Sequence, residues 1–271
     1  MRAADTPLRS LGQALARFLM RPNPNYEPPA TSSIEDLART LQPADVLLVE
    51  GNTRVSTAVK FLTQSTWSHA ALYVGPRPEL GEEYGQPRVL VEADLVHGVR
   101  AVALGRYADF HTRICRPVDL TKADRERVLA FAVDRLGYAY DLRNLIDLVR
   151  YLLPLPPVPT RLRRRMIELG SGEPTRAICS TLIAQAFQSV RYPILPFIEY
   201  RPGGGAGRNA FVEEVLRARH HSLFTPRDFD ISPYFRVIKP RIERGFDYNA
   251  VRWDDESPRI PENPRRASGL T

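Results

Sequence analysis

The stretch "STWSHAALYVG" (residues 65–75) and the stretch "RVLVEADLV" (88–96) both have the pattern of a buried β-strand. Small and large apolar residues follow one another in each, and the first stretch ends at a glycine, which is typical of a strand that runs into a turn. We expect the two strands to pair as an antiparallel hairpin with Val74 opposite Val89. This register decides which side chains share a face of the sheet, because side chains two residues apart point to the same side.

In this register His69, Glu92 and Asp94 lie on one face. Glu92 is a diagonal neighbour of His69, within reach of its long side chain. A carboxylate inside the apolar run "VLVEA" is unexpected unless a partner satisfies it, and an imidazole is such a partner. The pattern therefore predicts a histidine–carboxylate pair on the sheet.

The remaining elements indicate an α+β fold with a central antiparallel sheet packed against helices. Strand-like segments cluster between residues 44 and 120, with helical segments before and after them. "TKADRERVLAFAVDRLG" (121–137) has the spacing of a capped amphipathic helix. "FVEEVLRARHH" (211–221) is also interpreted as a helix, and "YFRVIKP" (234–240) as a late strand.

Composition and charge limit the function classes. The chain has 271 residues and a net charge of +7, which favours anionic partners. Its basic residues are not interleaved with aromatics as in nucleic-acid-binding surfaces, so no nucleic-acid partner is predicted. Only two cysteines occur, Cys115 and Cys179, which argues against a disulfide framework and fits a reducing compartment.

Three regions are predicted along the chain. Residues 1–40 form an N-terminal amphipathic helix and a proline-rich connector, and residues 41–240 form the main domain, with an arginine- and proline-rich insertion near 154–176. Residues 241–271 form a C-terminal extension that is partly disordered, because charge and proline dominate it.

The N-terminal helix has two interpretations. It packs on the body of the protein, or its basic amphipathic face rests on an anionic membrane. No apolar segment is long enough to cross a bilayer, and Arg9, Gln13 and Arg17 interrupt a would-be signal peptide. We therefore expect a cytoplasmic protein, with peripheral contact to the inner face of the membrane as the alternative.

Cys179 comes immediately before "STLIAQAF", an apolar pattern with helical spacing. At a helix N-terminus a thiolate is stabilised by the helix dipole and backbone amides, and the same amides can stabilise an oxyanion. The alternative is a buried, inert cysteine. Cys115 lies in a strand-like run, where no helix begins, and is expected to be a buried small apolar residue.

These residues also resemble a known family. "DVLLVEGNTRVSTAVKFLTQSTWSHAALYVG" (45–75), "VLVEADLVHGV" (89–99) and "ICSTLIAQAF" (178–187) resemble the circularly permuted papain-like amidases, the YiiX/YebB-like branch of the NlpC-type cysteine peptidase superfamily. The chain order of histidine, acid and then cysteine is that of the permuted branch. The resemblance covers roughly residues 41–190 and implies a permuted papain-like fold with the nucleophile at a helix N-terminus.

The resemblance implies roles for individual residues. Cys179 is the nucleophile, His69 the base and Glu92 the group that orients the imidazole. Tyr140, Tyr138 of the segment "GYAYD", and Ser68 beside the histidine are predicted to contact the substrate. The predicted activity is hydrolysis or acyl transfer on a small amide, ester or peptide, such as a cell-wall-type peptide or a lipid-linked acyl group, with no metal or organic cofactor.

Two other functions remain open from the residues alone. Cys179, His69 and Glu92 could ligate zinc, although no CxxC or HxxxH pair supplies a fourth ligand at close spacing. The same fold could also lack catalysis and bind anionic lipid or a protein partner through its cleft and basic surface.

Overall fold

The computed structural model describes residues 18, 20–23, 26, 28–94, 96–138, 178–202 and 212–251. The helices in these ranges are α1 (Ile34–Thr40), α2 (Arg54–Thr63), α3 (Lys122–Val133), α4 (Ile178–Ser189), α5 (Pro226–Asp230) and α6 (Pro240–Glu243). The strands are β1 (Val46–Val49), β2 (His69–Tyr73), β3 (Glu82–Glu83), β4 (Gln86–Asp94), β5 (Gly98–Ala103), β6 (Thr112–Pro117), β7 (Phe197–Pro202), β8 (Val212–Arg217) and β9 (Phe235–Ile238).

Seven of these strands form one sheet in the order β3-β4-β2-β1-β6-β9, with β5 also paired to β4. Each described pairing is antiparallel. β1 is central and buried on both faces, which explains its uninterrupted apolar sequence. The predicted α+β class with an antiparallel sheet and flanking helices is confirmed.

The predicted register between β2 and β4 is confirmed. Leu72 lies opposite Val91 and Tyr73 opposite Leu90, and the Val74 N–H donates to the Val89 carbonyl at 2.8 Å. A slip by one residue would place Glu92 on the face opposite to His69.

Different elements cover the two faces of the sheet. α3 and α4 contribute to the apolar cluster that contains Ala70 and Leu72, whereas α1 contributes to the cluster that contains Ala71 and Leu90. Of the two alanines that follow His69, therefore, only Ala70 makes room for the helix that carries Cys179.

Two helices match the sequence prediction closely. Thr121 caps α3, and its hydroxyl accepts a hydrogen bond from the Asp124 N–H at 3.1 Å. α4 begins at Ile178, so Cys179 lies in its first turn, as predicted.

The predicted helix at 211–221 is wrong, because residues 212–217 form β8, which pairs with β7 in a separate two-stranded sheet. Val212 and Val215 are three residues apart and therefore mimic helical spacing. Pairing with β7, in which Leu216 lies opposite Ile198, favours the strand instead. Local periodicity cannot reveal such a partner.

Several predicted segments lie outside the described residues: most of the N-terminal helix, the insertion near 154–176 and the end of the C-terminal extension. The division at residues 40 and 240 stays a prediction. Within the described ranges, no helix combines the length and the apolar character needed to cross a membrane.

Candidate active site

The entry to β2 is held by a close contact between two loops. The Ser68 N–H donates to the Val49 carbonyl at 3.1 Å, and its hydroxyl accepts the Gly51 N–H at 2.9 Å. A Cβ atom at residue 51 would collide with the Ser56 and Ser68 hydroxyls, so glycine is required there. This packing positions the backbone of His69, the first residue of β2.

His69 and Glu92 are directly hydrogen-bonded, with 2.8 Å between imidazole Nε2 and carboxylate Oε2. The Glu92 side chain is 2% exposed and the His69 side chain 22% exposed. The diagonal relation expected from the hairpin register therefore brings the two side chains into contact.

Two further groups donate to the Glu92 carboxylate. Arg100 approaches Oε1 with its Nε at 2.9 Å and its Nη2 at 2.8 Å, and the Tyr107 hydroxyl donates to Oε2. A carboxylate this deeply buried needs such partners, because an unpaired buried charge is strongly destabilising. Together with His69, these donors fix the orientation of the carboxylate.

Asp94 shares the face predicted for it but closes the turn after β4. Its carboxylate accepts backbone N–H groups of Val96 and His97 and pairs with Arg100 at 2.7 Å. Asp94 is therefore the second carboxylate partner of Arg100, whose guanidinium also binds Glu92.

Cys179 reaches the histidine from the other face of the sheet. Its side chain is buried in the cluster that contains Ala70, close enough to the His69 imidazole to raise the pKa of that ring. Since the His69–Glu92 pair lies on the face opposite to α4, thiol and imidazole meet where β2 begins. The structure thus brings Cys179, His69 and Glu92 into one chain of contacts.

The charges of this chain shift the pKa values of its members. Burial lowers the pKa of His69, but the charges and hydrogen bonds of Cys179 and Glu92 outweigh burial and raise that pKa above its ordinary value. Burial raises the pKa of Glu92, but His69, Arg100 and Tyr107 outweigh burial and lower that pKa below its ordinary range. An imidazolium–carboxylate pair is therefore favoured at neutral pH.

The predicted substrate-binding residues are placed differently from one another. Ser68 is buried, and its hydroxyl is engaged with the Gly51 N–H. Tyr138 is 63% exposed, and its carbonyl accepts the Val99 N–H at 3.0 Å, which ties its backbone to β5. Tyr140 lies outside the described residues. Substrate contact by these three residues stays a prediction.

Arg100 and Tyr107 were not identified from the sequence. Arg100 could have been predicted, because it lies directly opposite Glu92 across the short β4–β5 connection and opposite charges often pair across strands. No sequence pattern indicates the contact of Tyr107 with Glu92, since Tyr107 reaches the carboxylate from a 3₁₀ turn (Leu104–Tyr107) beyond β5.

Cys115, by contrast with Cys179, lies within β6 and is fully buried. Burial raises the pKa of its thiol well above the ordinary value. Among the described residues no group of three or more His, Cys, Asp or Glu side chains is arranged to hold a metal ion.

Residues 40–150 match the model of a family described as permuted papain-like amidase enzymes, YaeF/YiiX, the C92 family. The resemblance seen in the sequence is therefore confirmed, and the family description supports a cysteine hydrolase in general. The matched region includes His69 and Glu92, whereas Cys179 lies beyond it.

A solved structure similar to the chain is the metalloprotein YiiX from Escherichia coli O157:H7. The two are 15% identical, and the alignment covers 73% of this chain and 96% of that one with a TM-score of 0.43. No curated protein matches the chain.

Proposed function

We propose that the protein is a cysteine hydrolase that cleaves an amide or ester bond through an acyl–Cys179 intermediate. The observation that carries this proposal is the position of His69, which is hydrogen-bonded to the Glu92 carboxylate at 2.8 Å and close enough to the Cys179 thiol for that thiol to raise its pKa. A nucleophile, a base and a group that orients the base, joined in this order, are what thiol catalysis requires.

In the acylation step, the Cys179 sulfur attacks the carbonyl carbon of the substrate. Because Glu92 occupies Nε2 of His69, Nδ1 is the nitrogen available to the thiol. A protonated imidazole beside the sulfur favours the thiolate form. The carbon–nitrogen or carbon–oxygen bond then breaks, and His69 gives its proton to the leaving group.

In the deacylation step, His69 takes a proton from water as the oxygen attacks the thioester. The carbon–sulfur bond breaks, the acid is released and the thiol is restored. An acceptor amine in place of water would give acyl transfer. In both steps the backbone amides of the first turn of α4 lie close to the sulfur and are suited to stabilise the oxyanion.

Glu92 serves as the positioning residue in this mechanism. It keeps the imidazole charged and correctly oriented, and its own orientation depends on Arg100 and Tyr107. We propose a small amide, ester or peptide as the substrate, with a cell-wall-type peptide and a lipid-linked acyl group as the two classes to test first. Peripheral contact with an anionic membrane through the N-terminal helix belongs to the same proposal.

The proposal is tested with a small thiol-reactive acyl donor such as p-nitrophenyl acetate. Wild-type protein should release a stoichiometric burst of nitrophenolate, and mass spectrometry should find the acetyl group on Cys179. Cys179→Ala should lose both signals. Cys115→Ala, the matched control at the other buried cysteine, should keep both signals, and equal acylation of both variants would contradict the assignment.

Elemental analysis of the purified protein separates the proposal from zinc binding by the same three residues. The mechanism predicts full burst amplitude after treatment with a chelator. Stoichiometric zinc that is lost in Cys179→Ala and in His69→Ala would favour the metal-binding alternative.

A further inference from the structure

A second concave site lies at the end of α4 remote from Cys179. A cavity of about 280 Å³ is bordered by the last turn of α4, the segment that follows it and the base of the β7–β8 hairpin. Its lining is mostly apolar, with Ile194, Leu216 and Phe224 among its members, and it includes the side chains of Arg191 and Arg219. Its volume is near the lower end of small-molecule sites.

Arg191 occupies a backbone position that normally favours glycine. It has φ 58°, and the hydrogen bonds Arg191 N–H to Gln188 carbonyl and Tyr192 N–H to Phe187 carbonyl form the reversed turn that ends α4. The left-handed conformation disfavours every residue that has a Cβ atom. An arginine there keeps an exposed guanidinium at the rim of the cavity despite this backbone cost.

Arg219 provides the second positive charge. Its guanidinium lies 5.1 Å from the ring centre of Phe224, and the Asp228 carboxylate is 3.7 Å away. Its Nη2 reaches the Leu223 carbonyl only at 3.5 Å, and its Nε is a buried donor with no partner among the described residues. Asp228 therefore offsets part of this charge, while the Nε donor stays without a partner in the described part of the chain.

From this arrangement we propose that the cavity binds a small anion that carries a short apolar chain. The carboxylate or phosphate group would lie between Arg191 and Arg219, and the chain would pack on Ile194, Leu216 and Phe224. Two arginines at the rim of an apolar cavity complement such a ligand, whereas a neutral apolar molecule would leave both charges unused.

This cavity is remote from the proposed nucleophile, Cys179. Gln188, which lines the cavity, is in the last turn of α4, whereas Cys179 is in its first turn, roughly 14 Å away along the helix axis. Binding therefore does not require a working nucleophile, and Cys179→Ala should bind the ligand as the wild type does.

Binding is measured by titrating the full chain with octanoate and with octyl phosphate, using calorimetry and ligand-observed NMR. Both probes should bind saturably at one site, at least tenfold more tightly than octanol, and inorganic phosphate alone should bind more weakly than octyl phosphate. The tighter of the two charged probes identifies the head group as a carboxylate or a phosphate.

Arg191→Gly tests the site without endangering the fold, because glycine suits the left-handed position. It should weaken octanoate and octyl phosphate binding at least fivefold while the melting temperature stays unchanged or rises. Gln64→Gly is the matched control, since Gln64 is the left-handed residue at the end of α2 (φ 49°). It should leave binding unchanged.

A second variant, Ala218→Phe, places a ring at the exposed rim of the cavity and should weaken binding of both charged probes at least fivefold. The proposal is overturned if neither charged probe binds saturably. It is also overturned if Arg191→Gly and Ala218→Phe both bind these probes as tightly as the wild type does.

Discussion

Two histidine–glutamate pairs at the sheet have hydrogen bonds of nearly the same length. His69 and Glu92 are 2.8 Å apart, and His111 and Glu50 are 2.9 Å apart. In both pairs the carboxylate is buried and a tyrosine hydroxyl donates to it, Tyr107 in the first pair and Tyr26 in the second. The distance and the tyrosine donor therefore do not distinguish the pairs, although Glu92 binds Nε2 of His69 whereas Glu50 binds Nδ1 of His111.

The pairs differ in what surrounds them. The second cation at Glu92 is Arg100, with two donors on one oxygen, whereas at Glu50 it is Lys60 at 3.3 Å. On its other side His69 meets the Cys179 thiol, whereas the His111 ring lies against Trp67 at 4.9 Å between ring centres. A histidine–carboxylate pair thus acquires a proposed catalytic role only from the third group it faces.

The largest expected difference between the pairs concerns the acylation rate. Glu92→Gln should lower the rate constant of the nitrophenolate burst by about 10²–10⁴-fold, because the imidazole loses the charge that keeps it protonated and oriented. Glu50→Gln should leave the burst rate close to that of the wild type. The burst is followed by stopped-flow absorbance at constant pH.

Similar burst rates for Glu92→Gln and Glu50→Gln would remove the functional distinction between the two pairs. Circular dichroism and a urea titration of each variant verify that the comparison is made between folded proteins.

Replacing the tyrosine that donates to each carboxylate should give a smaller difference between the two pairs. Tyr107→Phe removes a donor from the buried Glu92 carboxylate, so we expect a loss of about 1.5–3 kcal/mol in the free energy of unfolding. The altered orientation of His69 should also slow the burst by roughly 10- to 100-fold. Stability is measured by urea unfolding and the rate by stopped flow.

Tyr26→Phe is the matched control, since Tyr26 donates to Glu50. It should cost stability without slowing the burst. A slow burst in Tyr26→Phe would mean that the second pair also supports the catalytic residues.

The His69–Glu92 pair should make the free energy of unfolding depend on pH. The raised pKa of His69 stabilises the folded state fully below the ordinary histidine value of 6.5, and this contribution is lost as pH rises through the raised value. The lowered pKa of Glu92 stabilises the folded state at pH values above the ordinary glutamate value of 4.5, and this stabilisation is lost as the pH falls. Both contributions are complete between these two ordinary values.

The free energy of unfolding of wild type minus that of His69→Ala should therefore shrink by about 1–3 kcal/mol between pH 6 and pH 9. Urea unfolding at several pH values measures this difference. Val128→Ala, a buried change in α3 that adds no titratable group, should show a difference from wild type that is independent of pH. A constant difference for His69→Ala would contradict the imidazolium–carboxylate pair.

The smallest expected effect is at Lys60, which contacts Glu50 at 3.3 Å and lies over the Tyr26 ring. Lys60→Met keeps the apolar stem of the side chain and removes its charge, so the loss should be about 0.5–1 kcal/mol. Added salt should reduce the difference from wild type, and an unchanged burst rate would agree with a purely structural role for the second pair.

Much of the arrangement around His69 could be predicted from local pattern. With Val74 taken opposite Val89, the alternation of side chains placed Glu92 within reach of His69. The helix that begins at Ile178 follows from its apolar spacing. These features depend on residues close together in the chain, where side-chain period and backbone geometry are directly linked.

Other features could not be predicted because they depend on distant packing. His111 carries no local signal of its role, because its carboxylate partner Glu50 follows β1 and lies 61 residues away in the chain. The strand at 212–217 depends on its pairing with β7. Single-chain periodicity contains no record of which segments become neighbours.

The antiparallel α+β class, the strands that carry His69 and Glu92 and the helix that begins beside Cys179 could be predicted from the sequence, because alternation and helical spacing act over a few residues. The chain order of histidine, acid and cysteine is read from it directly. Tertiary packing, by contrast, encloses Glu92 between Arg100 and Tyr107 and brings Cys179 to His69 from the opposite face of the sheet. Those contacts arise when burial of apolar surface brings separate segments together, and every buried charge must then find its partners.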